Sequence, residues 1–314
     1  MAIAEVMDLC GSGWPEAHAD PGEMVNLALA MYEHAGLENV GVPFCMTVEA
    51  EALGARVNMG TKTVQPRVVE HPFGSIRELV GLRTGQRGTN SRMGVVVEAI
   101  GSLATQMPEV PTVGNLVGPV SLAGSLMEPT VLMREMYRSP GEVHVALGSL
   151  VEELVKFGDA LVQAGADVIT IAEPTATGEI LAPRFFAEFG VPYLRLMVEA
   201  LHAAGAKVIV HICGDVRLIV SHLQQIGADA VSVDEMVNLR QLRAAIAPTA
   251  VMGNISAFVL QRGPKEKIMQ WCDEIGLRTA DIVAPACGLV ATTPLAHVQA
   301  FAEAIKAHSK TQRI

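Results

Sequence analysis

Short, continuous apolar runs alternate with longer amphipathic segments along most of this chain. Runs rich in Val and Ile and bounded by glycine are typical of strands in a parallel sheet that is covered on both faces. Strands of this kind are predicted at residues 40–46, 110–116, 168–171, 208–210, 231–233, 251–254 and 282–284. The longer segments have helical spacing and predict helices over residues 2–10, 22–34, 143–164 and 265–274.

A repeated junction leads from helix to strand, in the sequences Ala164-Gly-Ala-Asp, Ala204-Gly-Ala-Lys and Ile226-Gly-Ala-Asp. Glycine commonly ends a helix, and a short link to a strand follows, so each junction indicates a βα repeat. The predicted fold is α/β, a (β/α)8 TIM barrel formed by residues 1–314 as a single domain. A doubly wound sheet is less favoured because no glycine-rich dinucleotide-binding motif follows an early strand. An eighth strand is not found.

The segment between residues 64 and 107 is less regular and is predicted to be a partly irregular excursion near the mouth of a ligand site. It is rich in glycine and arginine. Among these residues are Gly81, Gly85, Gly88 and Gly94, with Arg83, Arg87 and Arg92. Taken singly, each arginine is predicted to lie in a solvated loop.

Composition narrows the function. The 314 residues are 50% hydrophobic and 18% charged, which excludes a disordered chain. The net charge of −10 and the absence of a basic stripe make nucleic acid an unsuitable partner. No apolar run is long enough for a membrane helix, and no secretory signal is found, so a cytoplasmic protein is predicted. Five cysteines, an odd number, indicate reduced thiols.

The strongest candidate for chemistry is a metal site at the ends of three strands. On an extended strand, His211 and Cys213 point to the same face, with Cα atoms about 7 Å apart. If the strands close in order, Cys287 and Glu235 join them at one mouth. Two thiols, an imidazole and a carboxylate form a complete tetrahedral zinc set. Glu235 has an alternative role, as a carboxylate that orients His211 from outside the ligand set.

Other polar residues follow predicted strands and line the same mouth. Asn115, Asp234 and Asn254 are predicted to bind substrate, and Glu173 ends another strand. The remaining cysteines, Cys10, Cys45 and Cys272, are assigned to packing or to the surface.

The sequence resembles the uroporphyrinogen decarboxylase superfamily and, within it, the methylcobalamin:coenzyme M methyltransferase branch. The specific feature is His211-Ile-Cys213 together with the distant Cys287. Similarity extends over nearly the whole chain and includes Trp14-Pro-Glu-Ala-His18, Tyr32-Glu-His-Ala-Gly-Leu37, Asn58-Met-Gly-Thr-Lys62 and Met252-Gly-Asn254. The decarboxylases have the same fold but lack the three metal ligands.

The resemblance implies a fold, a cofactor and a reaction. His211, Cys213 and Cys287 would hold Zn²⁺, and Glu235 would be a weak fourth ligand that the substrate thiol displaces. A methylated corrinoid such as methylcobalamin, free or on a corrinoid protein, would give its methyl group to a small thiol such as coenzyme M. Members of the branch usually begin with an additional segment that contains the first strand. The missing strand is therefore expected to reflect a shortened chain, or another element closes the barrel.

Two other functions remain open from the sequence. A tetrapyrrole decarboxylase would need basic residues in the mouth, which the arginines between Arg83 and Arg92 would supply. A non-catalytic barrel would bind a corrinoid without turnover. The sequence leaves open the acceptor thiol, the original methyl source (methanol, a methylamine or an aromatic methyl ether) and whether the chain forms a homo-oligomer.

Overall fold

The computed structural model describes residues 2–84, 92–272 and 279–311, the last four of them by their backbone alone. The strands of this part of the chain are β1 (Val40–Val42), β2 (Arg56–Asn58), β3 (Arg67–Glu70), β4 (Thr112–Val117), β5 (Val168–Ala172), β6 (Lys207–Ile212), β7 (Ala230–Val233), β8 (Ala250–Ile255) and β9 (Ile282–Pro285).

Helices surround these strands. They are α1 (Ala4–Cys10), α2 (Pro21–Ala35), α3 (Val48–Ala52), α4 (Arg92–Gln106), α5 (Pro119–Leu126), α6 (Pro129–Arg138), α7 (Pro140–Ala164), α8 (Pro183–Phe185), α9 (Val191–Ala204), α10 (Val220–Leu223), α11 (Leu239–Ile246), α12 (Ala257–Arg262), α13 (Lys265–Trp271) and α14 (Leu295–Thr311). Short 3-10 turns cover Glu16–His18, Ile76–Leu79, Pro174–Ala176 and Gln224–Ile226, and a π-helical turn covers Phe186–Gly190.

Seven strands form one parallel sheet, in the order β1-β4-β5-β6-β7-β8-β9. Neighbours in the sheet are therefore neighbours in the chain, apart from the β2–β3 hairpin, which is a separate two-stranded sheet. Near the carboxyl ends of β4 to β7, four residues on adjacent strands are successive register partners: Val117, Ala172, His211 and Ser232. These four residues set the level of the site described below.

The helix ends follow from local chemistry. Asp20 caps α2 by accepting a hydrogen bond from the Glu23 amide at 2.9 Å. The predicted glycine junctions are confirmed, because Gly165 and Gly205 have φ angles of 114° and 104°, which favour glycine. The core lies between the sheet and the helices, and Val208, like other apolar residues of β6, is fully buried there.

All of the predicted sheet strands are present, within a few residues of their predicted limits. The prediction for residues 64–107 is partly wrong, since β3 and the whole of α4 lie in this segment. Val96, Ala99, Ile100 and Leu103 are buried along one face of α4, and this spacing outweighs the glycine at its start. Gly85, Arg87 and Gly88 lie outside the described residues.

Two further observations concern the chain as a whole. The amide of Ala4 donates to the carbonyl oxygen of Ala291 at 2.7 Å, so the beginning of α1 is attached to the segment that follows β9. In the described ranges, no helix combines the length and the apolar character that a membrane crossing requires.

Candidate metal centre

Three potential metal ligands meet at the carboxyl end of the sheet. His211 is near the end of β6, Cys213 follows the strand directly, and Cys287 follows β9 by two residues. The Nε2 atom of His211 lies 2.9 Å from Cys213 Sγ, and the two sulfur atoms are 3.4 Å apart. All three donor atoms lie within 4.8 Å of one another. The predicted pairing of His211 with Cys213 on one face, and its meeting with Cys287, agree with this geometry.

The curvature of the sheet makes this meeting possible. β6 and β9 are three strand positions apart in the sheet order, which in a flat sheet would separate them by about 14 Å. The contact between Cys213 and Cys287 instead bridges residues 74 positions apart in the chain. The sheet therefore curls so that the residues after its strands point into a common mouth.

The two thiols have opposite electrostatic environments. The hydrogen bond from Cys213, followed by one from His211, lowers the pKa of Cys287 to about 4. The same contact with Cys287, together with burial, raises the pKa of Cys213 far above its ordinary value. Between the two thiols, deprotonation is therefore favoured at Cys287.

Ser232 orients the histidine, and the sequence analysis did not identify this role. Its hydroxyl oxygen lies 3.0 Å from His211 Nδ1, because the two residues are register partners on β6 and β7. This contact turns Nε2, the other ring nitrogen, toward Cys213. A polar residue inside the apolar run of β7 was the available signal. Groups that bind the outer nitrogen of a metal-binding histidine help to fix its orientation.

The three ligands fit zinc in type and in spacing. Two sulfurs and one nitrogen are donors that zinc prefers, and three protein ligands leave one position for a substrate. In a tetrahedral zinc centre, two sulfurs are about 3.8 Å apart, and a nitrogen and a sulfur are about 3.5 Å apart. The distances here are shorter by only a few tenths of an ångström, so small side-chain rotations would open the set to a metal ion.

The two acidic residues after β7, Asp234 and Glu235, are not part of the group formed by His211, Cys213 and Cys287. The Glu235 side chain is exposed and is not part of the ligand group, and the contact to His211 that was considered for it is made by Ser232. Asp234 accepts hydrogen bonds from the amides of Gly214 at 3.0 Å and Glu235 at 2.6 Å. It therefore holds the turn that follows Cys213.

The two predicted substrate-binding asparagines donate to backbone groups of the mouth. Asn115 donates to the carbonyl oxygen of Pro43 at 3.1 Å, which ties β4 to the segment after β1. Asn254 is buried and donates to the carbonyl oxygens of Asp234 and Val237, both at 2.8 Å. Each amide thus holds a loop in place, and a role in substrate binding stays a prediction for both.

Glu173, at the end of β5, holds a helix rather than facing the mouth. Its carboxyl group accepts hydrogen bonds from the amides of Val120 at 3.0 Å and Ser121 at 2.7 Å, and from the Ser121 hydroxyl. These donors belong to the first turn of α5, where backbone amides lack helical partners. Complete burial raises the pKa of Glu173 to about 7.

Of the three arginines named above in the glycine-rich segment, the two that the structure describes are both engaged. Arg83 pairs with Glu152 at 3.0 Å and Glu153 at 3.6 Å, both on α7. The prediction of a solvated loop is wrong for Arg92, which is only 6% exposed and donates to Glu51 at 2.5 Å. A single buried guanidinium group, that of Arg92, does not match the several carboxylates of a tetrapyrrole.

Exposed apolar side chains follow most strands of the sheet. A large apolar residue with 39–63% exposure lies within eight residues after each strand of the sheet except β4. We call this set the apolar rim: Met46, Ile180, Leu218, Met236, Phe258 and Val290. Because parallel strands end at the same edge, these residues share the face on which the metal ligands lie.

Comparison with known proteins agrees with this geometry. The sequence matches the family described as uroporphyrinogen decarboxylase (URO-D) over residues 1–308. The chain belongs to the uroporphyrinogen decarboxylase family. It is 35% identical to the methylcobamide:CoM methyltransferase MtaA of Methanosarcina barkeri over 307 residues, which cover 96% of this chain and 89% of the relative.

A solved structure and a decarboxylase complete the comparison. A methyltransferase structure from Methanosarcina mazei superposes with a TM-score of 0.92 and 34% identity, over 99% of this chain and 92% of that one. The uroporphyrinogen decarboxylase of Myxococcus xanthus is 29% identical over 223 residues, which cover 68% of this chain and 61% of the relative. The similarity is thus more extensive toward methyltransferases than toward this decarboxylase.

Proposed function

We propose that this protein is a zinc-dependent methyltransferase that moves a methyl group from a methylated corrinoid to a thiol such as coenzyme M. The convergence of His211, Cys213 and Cys287 carries the proposal. Near-full-length similarity to methylcobamide:CoM methyltransferases supports it, because a soft metal site suits a reaction in which sulfur accepts the methyl group.

The chain's own residues have distinct tasks in this reaction. His211, Cys213 and Cys287 hold the metal, and Ser232 keeps the imidazole turned toward it. When bound, zinc would lower the pKa of the acceptor thiol so that its thiolate forms near neutral pH. Glu235 is exposed in the segment after β7, and as a weak fourth ligand it would compete with the incoming thiol for the open position.

The chemical balance of the transfer is simple. The acceptor thiol loses its proton, a carbon–sulfur bond forms, and the electron pair of the cobalt–carbon bond stays on cobalt. The chain must therefore admit two substrates to one place. The exposed Cys287 and the apolar rim support entry of a large, partly apolar donor from the open side, with the corrinoid carried on a partner protein.

Two structural statements belong to the same proposal. We infer that the parallel strands are those of a (β/α)8 barrel and that residues 1–314 form a single domain. The curvature that joins the ends of β6 and β9 supports the barrel, and so does the hydrogen bond between Ala4 and Ala291. No strand pairs with the outer edges of β1 and β9 in the ranges that the structure covers.

Metal content and methyl transfer test the proposal together. We expect about one zinc ion per chain by elemental analysis, and we expect loss of methylcobalamin absorbance when coenzyme M is added. Cys10→Ser is a matched control, because Cys10 lies on α1 outside the ligand group and its loss should leave both readings unchanged. Zinc without transfer to any thiol would favour the non-catalytic corrinoid-binding barrel. A protein that binds no zinc and transfers no methyl group would contradict the proposal.

A further inference from the structure

One sequence motif has no role in the metal centre. Trp14 and His18, the two ends of Trp14-Pro-Glu-Ala-His18, are almost fully buried, at 3% and 0% exposure. Within the described ranges, neither Trp14 Nε1 nor either ring nitrogen of His18 has a hydrogen-bond partner. Glu49 Oε2 is also buried and has no hydrogen-bond partner within these ranges. A buried polar atom without a partner costs about 1–3 kcal/mol, so four such atoms favour a polar occupant, either a bound molecule or water.

These groups form one cluster around the segment that follows β1. The rings of Trp14 and His18 are stacked with centroids 5.0 Å apart, and both face Phe44 at 6.4 Å. Arg92 lies close enough that its charge acts on both His18 and Glu49. Its guanidinium group contacts the Cys45 sulfur at 3.3 Å and the Thr47 hydroxyl at 2.8 Å.

The cluster lies at the same level of the sheet as the metal ligands. Glu49 Oε1 accepts a hydrogen bond from the Val117 amide at 2.8 Å, in the place where β1 no longer pairs with β4. Val117 is in register with Ala172, and Ala172 is in register with His211. Two strand spacings correspond to about 10 Å between the Val117 and His211 backbones. The segment that holds Glu49 and the strand end that holds His211 are therefore about two strand spacings apart at the same end of the sheet.

The unpaired atoms are suited to an anion. Burial, and then the charge of Arg92, lower the pKa of His18 to about 3, so its imidazole is neutral and has one N–H to donate. Burial raises the pKa of Glu49, which favours a neutral carboxylic acid with an O–H. Trp14 Nε1 can only donate. Three donors beside a guanidinium group match the oxygens of an acidic group.

We propose that Trp14, His18, Glu49 and Arg92 form the second half of the acceptor site and bind the sulfonate or carboxylate group of a short thiol acid. The inference rests on the proposed function, since it assumes that the sulfur of the same molecule is held at the metal centre. It assigns a binding task to Trp14-Pro-Glu-Ala-His18 and makes the acidic end of the acceptor a determinant of specificity.

The first test needs neither zinc nor methyl transfer. Ethanesulfonate and propionate contain the acidic group but no thiol, and their binding to the metal-free protein is measured by calorimetry. We expect at least one of them to bind, and Trp14→Phe to weaken that binding about tenfold or more, as is typical when a hydrogen bond to a charged group is lost. Trp271→Phe is the matched control, because Trp271 lies on α13 outside the cluster, with the Lys267 ammonium 5.7 Å from its ring centroid.

The second test compares acceptors on the zinc-loaded enzyme. Trp14→Phe is expected to raise the KM for coenzyme M about tenfold, with little change in kcat and none in the KM for 2-mercaptoethanol, which lacks the acidic group. An equal rise in KM for both thiols would overturn the inference. Failure of both anions to bind the wild-type protein in the first test would also overturn it, and water would then be the occupant of the cluster. Anion binding that depends on Trp14 in a protein that methylates no thiol would support the site and refute the proposed function.

Discussion

Ser232→Ala tests the metal centre without removing a ligand. The substitution deletes one hydroxyl group, which lies 3.0 Å from His211 Nδ1. Ser232 is 3% exposed, so water does not readily replace the lost oxygen, and the imidazole becomes free to rotate away from Cys213. Loss of such an orienting group typically lowers metal affinity by about 10–100-fold, or about 1.4–2.7 kcal/mol. We expect an effect in that range for zinc.

The affinity is measured by competition with a chelator of known zinc affinity, under conditions where wild-type and variant are both folded. Ser256→Ala is a matched control, because Ser256 is equally buried but caps α12 by accepting a hydrogen bond from the Val259 amide. That variant should lose some stability and no zinc affinity. If Ser232→Ala bound zinc as tightly as the wild type, or if Ser256→Ala lost affinity equally, the assigned role of Ser232 would be refuted.

Three further predictions address the ligands, the fold and the rim. Cys287→Ala should lose most of the bound zinc in elemental analysis while the circular dichroism spectrum stays that of the folded protein; unfolding would instead make the site structural. Glu173 has a folded-state pKa of about 7, above its value of 4.5 in an unfolded chain, so its contribution to stability is complete below pH 4.5 and is lost as the pH rises through 7. The free energy of unfolding, measured in urea, should therefore fall by about 3 kcal/mol between pH 4 and pH 8 in the wild type and not in Glu173→Gln. The same pH dependence in both proteins would contradict this. If a corrinoid protein docks on the apolar rim, Leu218→Asp and Phe258→Asp should lower kcat/KM for the protein-bound corrinoid about tenfold. The kcat/KM for free methylcobalamin should stay unchanged. Equal losses for both donors would argue against docking on the rim.

The sheet could be predicted from the sequence because its strands are buried on both faces and appear as continuous apolar runs. β7 is a good example, with every residue buried. α4 was not predicted because the glycines and arginines of the surrounding segment suggested a loop, although its apolar positions have helical spacing. The β2–β3 hairpin was missed for a different reason. Most of its residues are exposed, so it lacks the apolar pattern that identifies a strand.

The meeting of His211, Cys213 and Cys287 could be predicted for the same geometric reason, since all three stand at strand ends. The orientation of side chains around them could not. Whether Ser232 or Glu235 contacts His211 depends on the register between β6 and β7, which the sequence does not specify. The burial of Arg92 likewise depends on how α4 packs against α3, where its partner Glu51 lies.

The separation of 74 residues between Cys213 and Cys287 has a consequence for biosynthesis. At about 5–20 residues per second, a ribosome needs about 4–15 s to synthesise the intervening chain. During that time the nascent protein offers only an imidazole and one thiol, which is too few ligands for a stable zinc site. In the proposed zinc enzyme, metal loading would wait until β9 has joined the sheet. Zinc uptake would then report completed folding, and a chain that stalls before β9 would remain metal-free.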